Sequence, residues 1–166
     1  ADGIWTTLYE THGGGEGARA DRDGAPVIRV HMSNVMNTPA EVIEAEYPLR
    51  IETQSLRRGS GGQGRHRGGD GLHRVYRVLC EDMSVTSMFE RRVVPPYGLD
   101  GGAPGAAFRV DVVKADGAEH ELPGKANIRL GPGDRVIVNS CGGGGYGAPA
   151  APGHDRKNAD HRRVPA

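Results

Sequence analysis

Aromatic side chains are scarce in this chain of 166 residues, which holds two Phe, five Tyr and one Trp. Its core must be built from Val, Ile, Leu and Ala, and such thin bulk points to a core completed by another chain. An excess of either charge is also missing. Lys+Arg and Asp+Glu each total 21, so the formal net charge is zero. Nothing in that balance favours nucleic acid or an anionic membrane as a partner. Weak colloidal repulsion suits a subunit buried in an assembly. Lysine is reduced to Lys114, Lys125 and Lys157, and the other 18 basic residues are arginine. A GC-rich genome explains that bias, and so does a demand for guanidinium forks at interfaces. The two cysteines, Cys80 and Cys141, are far apart in a chain that is neither small nor cystine-dense. A disulfide-stapled secreted scaffold is thereby disfavoured, and a reduced cytoplasmic protein is expected. No apolar run approaches the ~18 residues of a membrane span, and no signal peptide is expected. The opening Ala1-Asp2-Gly3-Ile4-Trp5 lacks an initiator Met, which predicts a processed, cleaved or truncated product.

Glycine, by contrast, supplies 27 of the 166 residues, about twice the ordinary ~7%. It falls in clusters: Gly13-Gly14-Gly15, the run Ser60 to Gly71, Gly101-Gly102, and Gly142 to Gly147 around Tyr146. The stretches between are apolar and β-branched, so the chain is neither a linker nor a fibre. Glycines at strand ends mark backbone that turns sharply or lies very close to something else.

Period-2 alternation predicts strands at Val27–Met32, Leu49–Ser55, Leu72–Cys80 and Ser84–Arg92, with a possible short one at Trp5–Tyr9. Glu81-Asp82 joins the third and fourth of these. Phe108–Lys114 and Glu119–Leu122 read as a hairpin about Asp116-Gly117. Ala126–Leu130 and Arg135–Asn139 flank the turn Gly131-Pro132-Gly133-Asp134. A short helix is expected at about Pro39–Glu46, with Thr38 as N-cap, Pro39 in the first helical position and Glu41 three residues after the cap. The quadruple glycine is expected to end the ordered core. About eight strands, one helix and no βαβ rhythm predict a mainly β fold, all-β to α+β. An antiparallel sandwich or barrel-like unit with long Gly-rich loops is the expected form. One domain over residues 1–149 is expected, with residues 150–166 as an extended or disordered tail.

None of the seven histidines stands two or four residues from another His or Cys, so no metal site is expected within this chain. The Ser60–Gly71 loop resembles a phosphate cradle in composition but lacks the P-loop spacing and a following helix. Its backbone N–H groups suit an anion nest beside Arg65 and Arg67; otherwise the glycines permit a tight connection whose arginines pair with neighbours. Asn34 and Asn37 precede a helix whose Glu41 and Glu44 share one face. They either fix the loop backbone or orient a polar substrate. Cys141 has no histidine near it in sequence and no helix N-terminus to activate it.

The ordered series Glu10-Thr11-His12-Gly13-Gly14-Gly15, His31-Met32-Ser33-Asn34, Asn37-Thr38-Pro39-Ala40-Glu41, Tyr47-Pro48-Leu49, Ser60-Gly61-Gly62, Gly64 to Gly69, Gly101-Gly102, Gly131 to Asp134 and Gly142 to Gly147 resembles the C-terminal part of the hydantoinase B family. That family includes the B half of 5-oxoprolinase and the large alpha subunits of acetone carboxylases. The resemblance implies a component of an ATP-dependent cyclic-amide hydrolase. The alternatives are a component of an ATP-dependent ketone carboxylase, or a non-catalytic structural or assembly segment. It further implies an A-type partner subunit that binds ATP and Mg and phosphorylates a substrate oxygen. A divalent metal is implied on the N-terminal remainder of the B-type subunit, with none bound by this chain alone. The implied substrate is a small cyclic amide or ketone. The site residues carried over as substrate or intermediate-binding candidates are Asn34, Asn37, Glu41 and Arg67, with no catalytic acid or base assigned. Gly14, Gly61, Gly62, Gly68, Gly69, Gly143, Gly144 and Tyr146 are carried over as structural loop candidates whose N–H groups suit an activated intermediate. The final Ala150–Ala166 departs from the family pattern: it lacks the usual acidic and aliphatic ending, and its His154-Asp155-Arg156-Lys157 is polar throughout.

Overall fold

The computed structural model describes residues 5–29, 33 and 35–149. Seven strands and one helix occur among them: α1 (Ala40–Glu46), β1 (Leu49–Arg57), β2 (Gly71–Val78), β3 (Met83–Met88), β4 (Arg109–Val113), β5 (Glu119–Glu121), β6 (Lys125–Leu130) and β7 (Arg135–Asn139). Five strands form one antiparallel sheet in the order β1-β2-β7-β4-β5, while β3 and β6 pair as a separate antiparallel ribbon. Ile43 of α1, Val78, Val110, Val112, Val136 and Val138 form the core, and Val85 and Ile128 of the ribbon pack against it. The fold is thus mainly β and sandwich-like, with two sheets facing each other and no closure into a barrel. Ile43 and Val112 are both fully buried. Each such side chain stabilises the fold by about 1.5–3 kcal/mol. Among the described residues no helix is long and apolar enough to cross a membrane.

The hairpin about Asp116-Gly117 forms as its turn chemistry demands, with Val113 opposite Glu119 and Gly117 at φ 90°. Elsewhere tertiary contacts override local signals. Glu81-Asp82 does not close a hairpin, because β2 is buried along most of its length and is paired on both edges, by β1 and β7. β3 is left to find β6. Trp5–Tyr9 forms no strand. At Val27–Met32 the described part makes a single bridge, Ile28 to Gly14, because Pro26 and Val27 turn the chain and Val27 sits at φ 46°. Residues 30–32 lie outside the described residues. Helix α1 starts one residue later than its sequence suggests: Pro39 flanks it, and no side chain caps it. Thr38 is engaged in tertiary contacts, its N–H donating to Glu10 and its carbonyl accepting from Arg74.

Gly142 to Gly145 do not end the core. They run through the middle of a layer of extended, glycine-rich segments. A Cβ on Gly142 would lie 1.9 Å from the Ser60 carbonyl oxygen, one on Gly143 1.9 Å from that of Glu16, one on Gly144 1.8 Å from that of Tyr97, and one on Gly145 2.2 Å from that of Gln63. Positions 142 and 145 thus meet the same neighbour, three residues apart, which is the threefold repeat of a polyproline II chain. Such a chain has no internal hydrogen bonds, so its backbone groups bond outward. Gly142 N–H donates to Ala106, Gly143 N–H to Gly69 and Gly145 N–H to Ala103, while the carbonyls of Gly143, Gly144 and Gly145 accept from Gly62, Ala18 and Leu99.

One carboxylate pins two turns. Asp134 accepts from the Gly131 N–H at 2.9 Å, the Ala115 N–H at 2.8 Å and the Lys114 ammonium. Burial alone would raise its pKa, but these donors hold it below the ordinary 3.8. A carboxyl held low in the native state stabilises fully above its ordinary value and loses that contribution as pH falls through the native one. Asp134→Asn is therefore expected to flatten the acid limb of stability below that ordinary value, measured by urea unfolding over a pH series. An acid limb unchanged from wild type would remove Asp134 from this role.

Candidate functional site

A cleft of about 510 Å3 opens between the ribbon and the five-stranded sheet. Its walls are mixed, with Leu8, Val85, Phe89, Phe108 and Val110 beside Thr7, Ser84 and Thr86, and Glu10, His12 and Tyr76 make one polar end. Glu10 and His12 are two apart on an extended segment; Arg74 and Tyr76 are two apart on β2. Each pair therefore presents one face. The Arg74 side chain is 0% exposed and its Nη1 meets Glu10 Oε2 at 2.8 Å. The Tyr76 hydroxyl donates to the same oxygen at 2.6 Å. Thr38 N–H donates to Oε1 at 3.3 Å. His12 Nε2 lies 3.5 Å from the Tyr76 hydroxyl. The Arg74 guanidinium also sits 5.0 Å from the Tyr76 ring centre.

The electrostatics follow from these contacts. Burial alone would raise the Glu10 pKa, but bonds from Tyr76 and Thr38 and the Arg74 charge bring it below its ordinary value. Burial, with Arg74 and Arg29 beside it and Glu10 opposing, pulls His12 down to about 4. Burial and the bond to Glu10 push the Tyr76 hydroxyl well up. At neutral pH the cluster is one carboxylate, one guanidinium, a neutral imidazole and a neutral phenol.

The candidates taken from sequence are scattered around this cluster. Asn37 borders it: its Oδ1 accepts from Arg29 Nη2 at 2.8 Å, and Arg29 also holds the side chain and carbonyl of Thr11. Asn34 lies outside the described residues. Glu41 is exposed in the first turn of α1 and does not line the cleft. Arg67 lies in the glycine layer, paired with Asp70 at 2.6 Å. Several of the loop N–H groups are engaged within the layer. Gly61 N–H is taken by Asp70, and those of Gly62, Gly68, Gly69 and Gly143 are taken by backbone carbonyls. Gly14 and Gly144 are close-approach positions in the same layer, and Tyr146 exchanges backbone bonds with His66. Sequence reasoning missed Arg74 and Tyr76 altogether, and weighed His12 only as a metal ligand. Among the described residues no group of three or more His, Cys, Asp or Glu could hold a metal ion.

Residues 1–149 match the model of the hydantoinase B/oxoprolinase family. The chain is 45% identical over 86% of its length to an uncharacterised Methanocaldococcus jannaschii protein, covering 25% of that protein. It is 37% identical over 84% of its length to the 5-oxoprolinase PfmaA of Pestalotiopsis fici, covering 11% of it. A nucleotide-free acetone carboxylase structure shares the fold at a TM-score of 0.71, with 21% identity over 81% of this chain and 22% of that one. The ATP-dependent caprolactamase of Pseudomonas jessenii superposes with a TM-score of 0.69, at 26% identity, over 81% of this chain and 24% of its own. The sequence thus spans a quarter or less of the proteins it is similar to. By the match of its first 149 residues, the chain belongs to the hydantoinase B/oxoprolinase family.

Proposed function

We propose that this chain is a segment of the B-type component of an ATP-dependent cyclic-amide hydrolase, acting on a substrate that an A-type partner has phosphorylated. The observation that carries this reading is the family match over residues 1–149. Its named relatives and structural neighbours include a 5-oxoprolinase and an ATP-dependent caprolactamase, both directed at cyclic amides. The chemistry is coherent. An amide carbonyl is a poor electrophile, and phosphorylating its oxygen gives an imidate-like phosphate that water attacks, with cleavage of the C–N bond. Such an intermediate needs shielding from bulk water and fixed polar groups beside it. The apolar side chains and the hydrogen-bonded Glu10–Arg74–Tyr76 cluster of the cleft suit that role. The acetone carboxylase likeness, at 21% identity, is one of fold. A scaffolding role is the second reading, favoured by the glycine layer, whose donors are spent on packing.

The test is native mass spectrometry of the protein from its source, followed by ATP turnover of the complex. Co-migration with an ATP-binding chain and ATP hydrolysis stimulated by hydantoin, 5-oxoproline or caprolactam without bicarbonate is the expected result. Turnover that requires a ketone and bicarbonate replaces the hydrolase with a carboxylase. A folded monomer with no ATP-binding partner leaves the scaffold.

A further inference from the structure

We propose that β3 is an open sheet edge to which an extended segment from the remainder of the B-type polypeptide adds, as the third strand of the ribbon. The proposal rests on the B-type reading above. β3 and β6 pair antiparallel, with Met83 opposite Leu130 and Met88 opposite Lys125. The Phe89 N–H donates to the Gly124 carbonyl at 2.8 Å, one step further along the same register. Bonds in such a ladder recur at every second residue, so Met83, Val85 and Ser87 turn their N–H and C=O groups toward β6. Ser84, Thr86 and Met88 turn theirs the other way, where they meet no backbone partner among the described residues. A row of unpaired backbone groups is a template for another strand. A two-stranded ribbon is also marginal by itself.

The place of this edge selects its occupant. Every residue from Asp82 to Phe89 lines the cleft and no residue of β6 does, so the free edge of β3 is the one that borders it. Trp5 to Leu8 line the cleft as well. On the B-type reading the rest of the polypeptide lies N-terminal to this sequence, and it therefore enters beside β3 through Trp5. The relatives supply the length for it, since this chain covers 25% of one and 11% of another. Trp5 and Met88, each 72% exposed, add apolar surface in the lining that a further strand covers. The segment that fits alternates with period two. Its polar side chains lie beside Ser84 and Thr86, whose hydroxyls accept from Asn127 Nδ2 at 3.1 and 2.7 Å. Its apolar side chains lie on the face of Val85, which packs toward the core. Main-chain bonds give such docking its affinity. The added strand walls the cleft along β3, which is the shielding that the phosphorylated intermediate needs.

Amide hydrogen exchange on the complete complex from its source tests this, read residue by residue over Met83–Met88. A paired edge slows the amides of Ser84, Thr86 and Met88 by about a hundredfold or more, whereas an open edge leaves them at the rate of unprotected peptide. A photo-cross-linking amino acid at position 88, where the side chain is exposed, then identifies the occupant, and an adduct with the N-terminal remainder of the B-type polypeptide is the expected result. Unprotected exchange at those three amides overturns the proposal. So does an adduct formed only with the ATP-binding subunit, with a second copy of this sequence or within the sequence itself. The two readings fail separately. Cyclic-amide-stimulated ATP turnover with unprotected exchange on β3 removes the added strand and leaves the hydrolase. Protected amides and the expected adduct in a complex without that turnover keep the strand and remove the hydrolase.

Discussion

Gly143→Ala is expected to destabilise the fold by about 3 kcal/mol or more, a large share of the 5–15 kcal/mol that holds a typical domain together. The added Cβ would meet the Glu16 carbonyl oxygen at 1.9 Å, its carbon at 2.3 Å and the Gly17 nitrogen at 2.8 Å. All three are backbone atoms, so no side-chain rotation relieves the clash. Retreat of the Glu16 segment would break the Gly69 N–H bond to the Glu16 carbonyl, at 2.9 Å, and the Glu16 N–H bond to Ala25, also at 2.9 Å. Conformational freedom is not the reason for glycine here, since Gly143 is not among the positive-φ residues. Gly17→Ala is the control, because a Cβ there finds nothing nearer than the Gly144 carbonyl oxygen at 3.9 Å. Chemical denaturation reads both. If Gly143→Ala unfolds within about 1 kcal/mol of Gly17→Ala, the layer is looser than described.

Glu10→Gln is the second large effect, about 3–5 kcal/mol of destabilisation, because it leaves the Arg74 guanidinium buried without its counter-charge. Arg74 would retain the Thr38 carbonyl at 3.1 Å, while its Nε already lacks a partner. Removing both charges, as Glu10→Leu with Arg74→Leu, is expected to cost clearly less than the sum of the single changes. A double-mutant cycle measures the difference. Simple additivity would mean that the pair is not coupled.

Much of the fold was legible where local chemistry decides it. Asp116-Gly117 marks its hairpin, Arg135–Asn139 keeps its predicted bounds, and the alternation in Leu49–Ser55 identifies β1, which runs on to Arg57. Pairing partners were not legible, since β3 finds β6 across a long stretch of chain and no local signal encodes that choice. The glycine clusters announced close approach, yet not that they approach one another. The site shows the same limit. Glu10 and His12, like Arg74 and Tyr76, carry the two-residue spacing of a shared face. Only the tertiary fold brings Arg74 to Glu10 across a separation of 64 residues. Asn37, Glu41 and Arg67 come from the family resemblance, and a shared motif does not encode which of its residues faces a cleft.

The central glycine segment also orders events in time. Its neighbours are at residues 16, 60–63 and 97, and the adjoining Ser140 hydroxyl donates to Gly13 across 127 residues. Loop closure over such distances is slow, because chain entropy is lost before the contacts form. During synthesis the segments around Glu16, Ser60 and Tyr97 emerge first and wait without a common partner. The layer cannot be complete before Gly142 to Gly145 have left the ribosome, because the segments around Glu16, Ser60 and Tyr97 meet there.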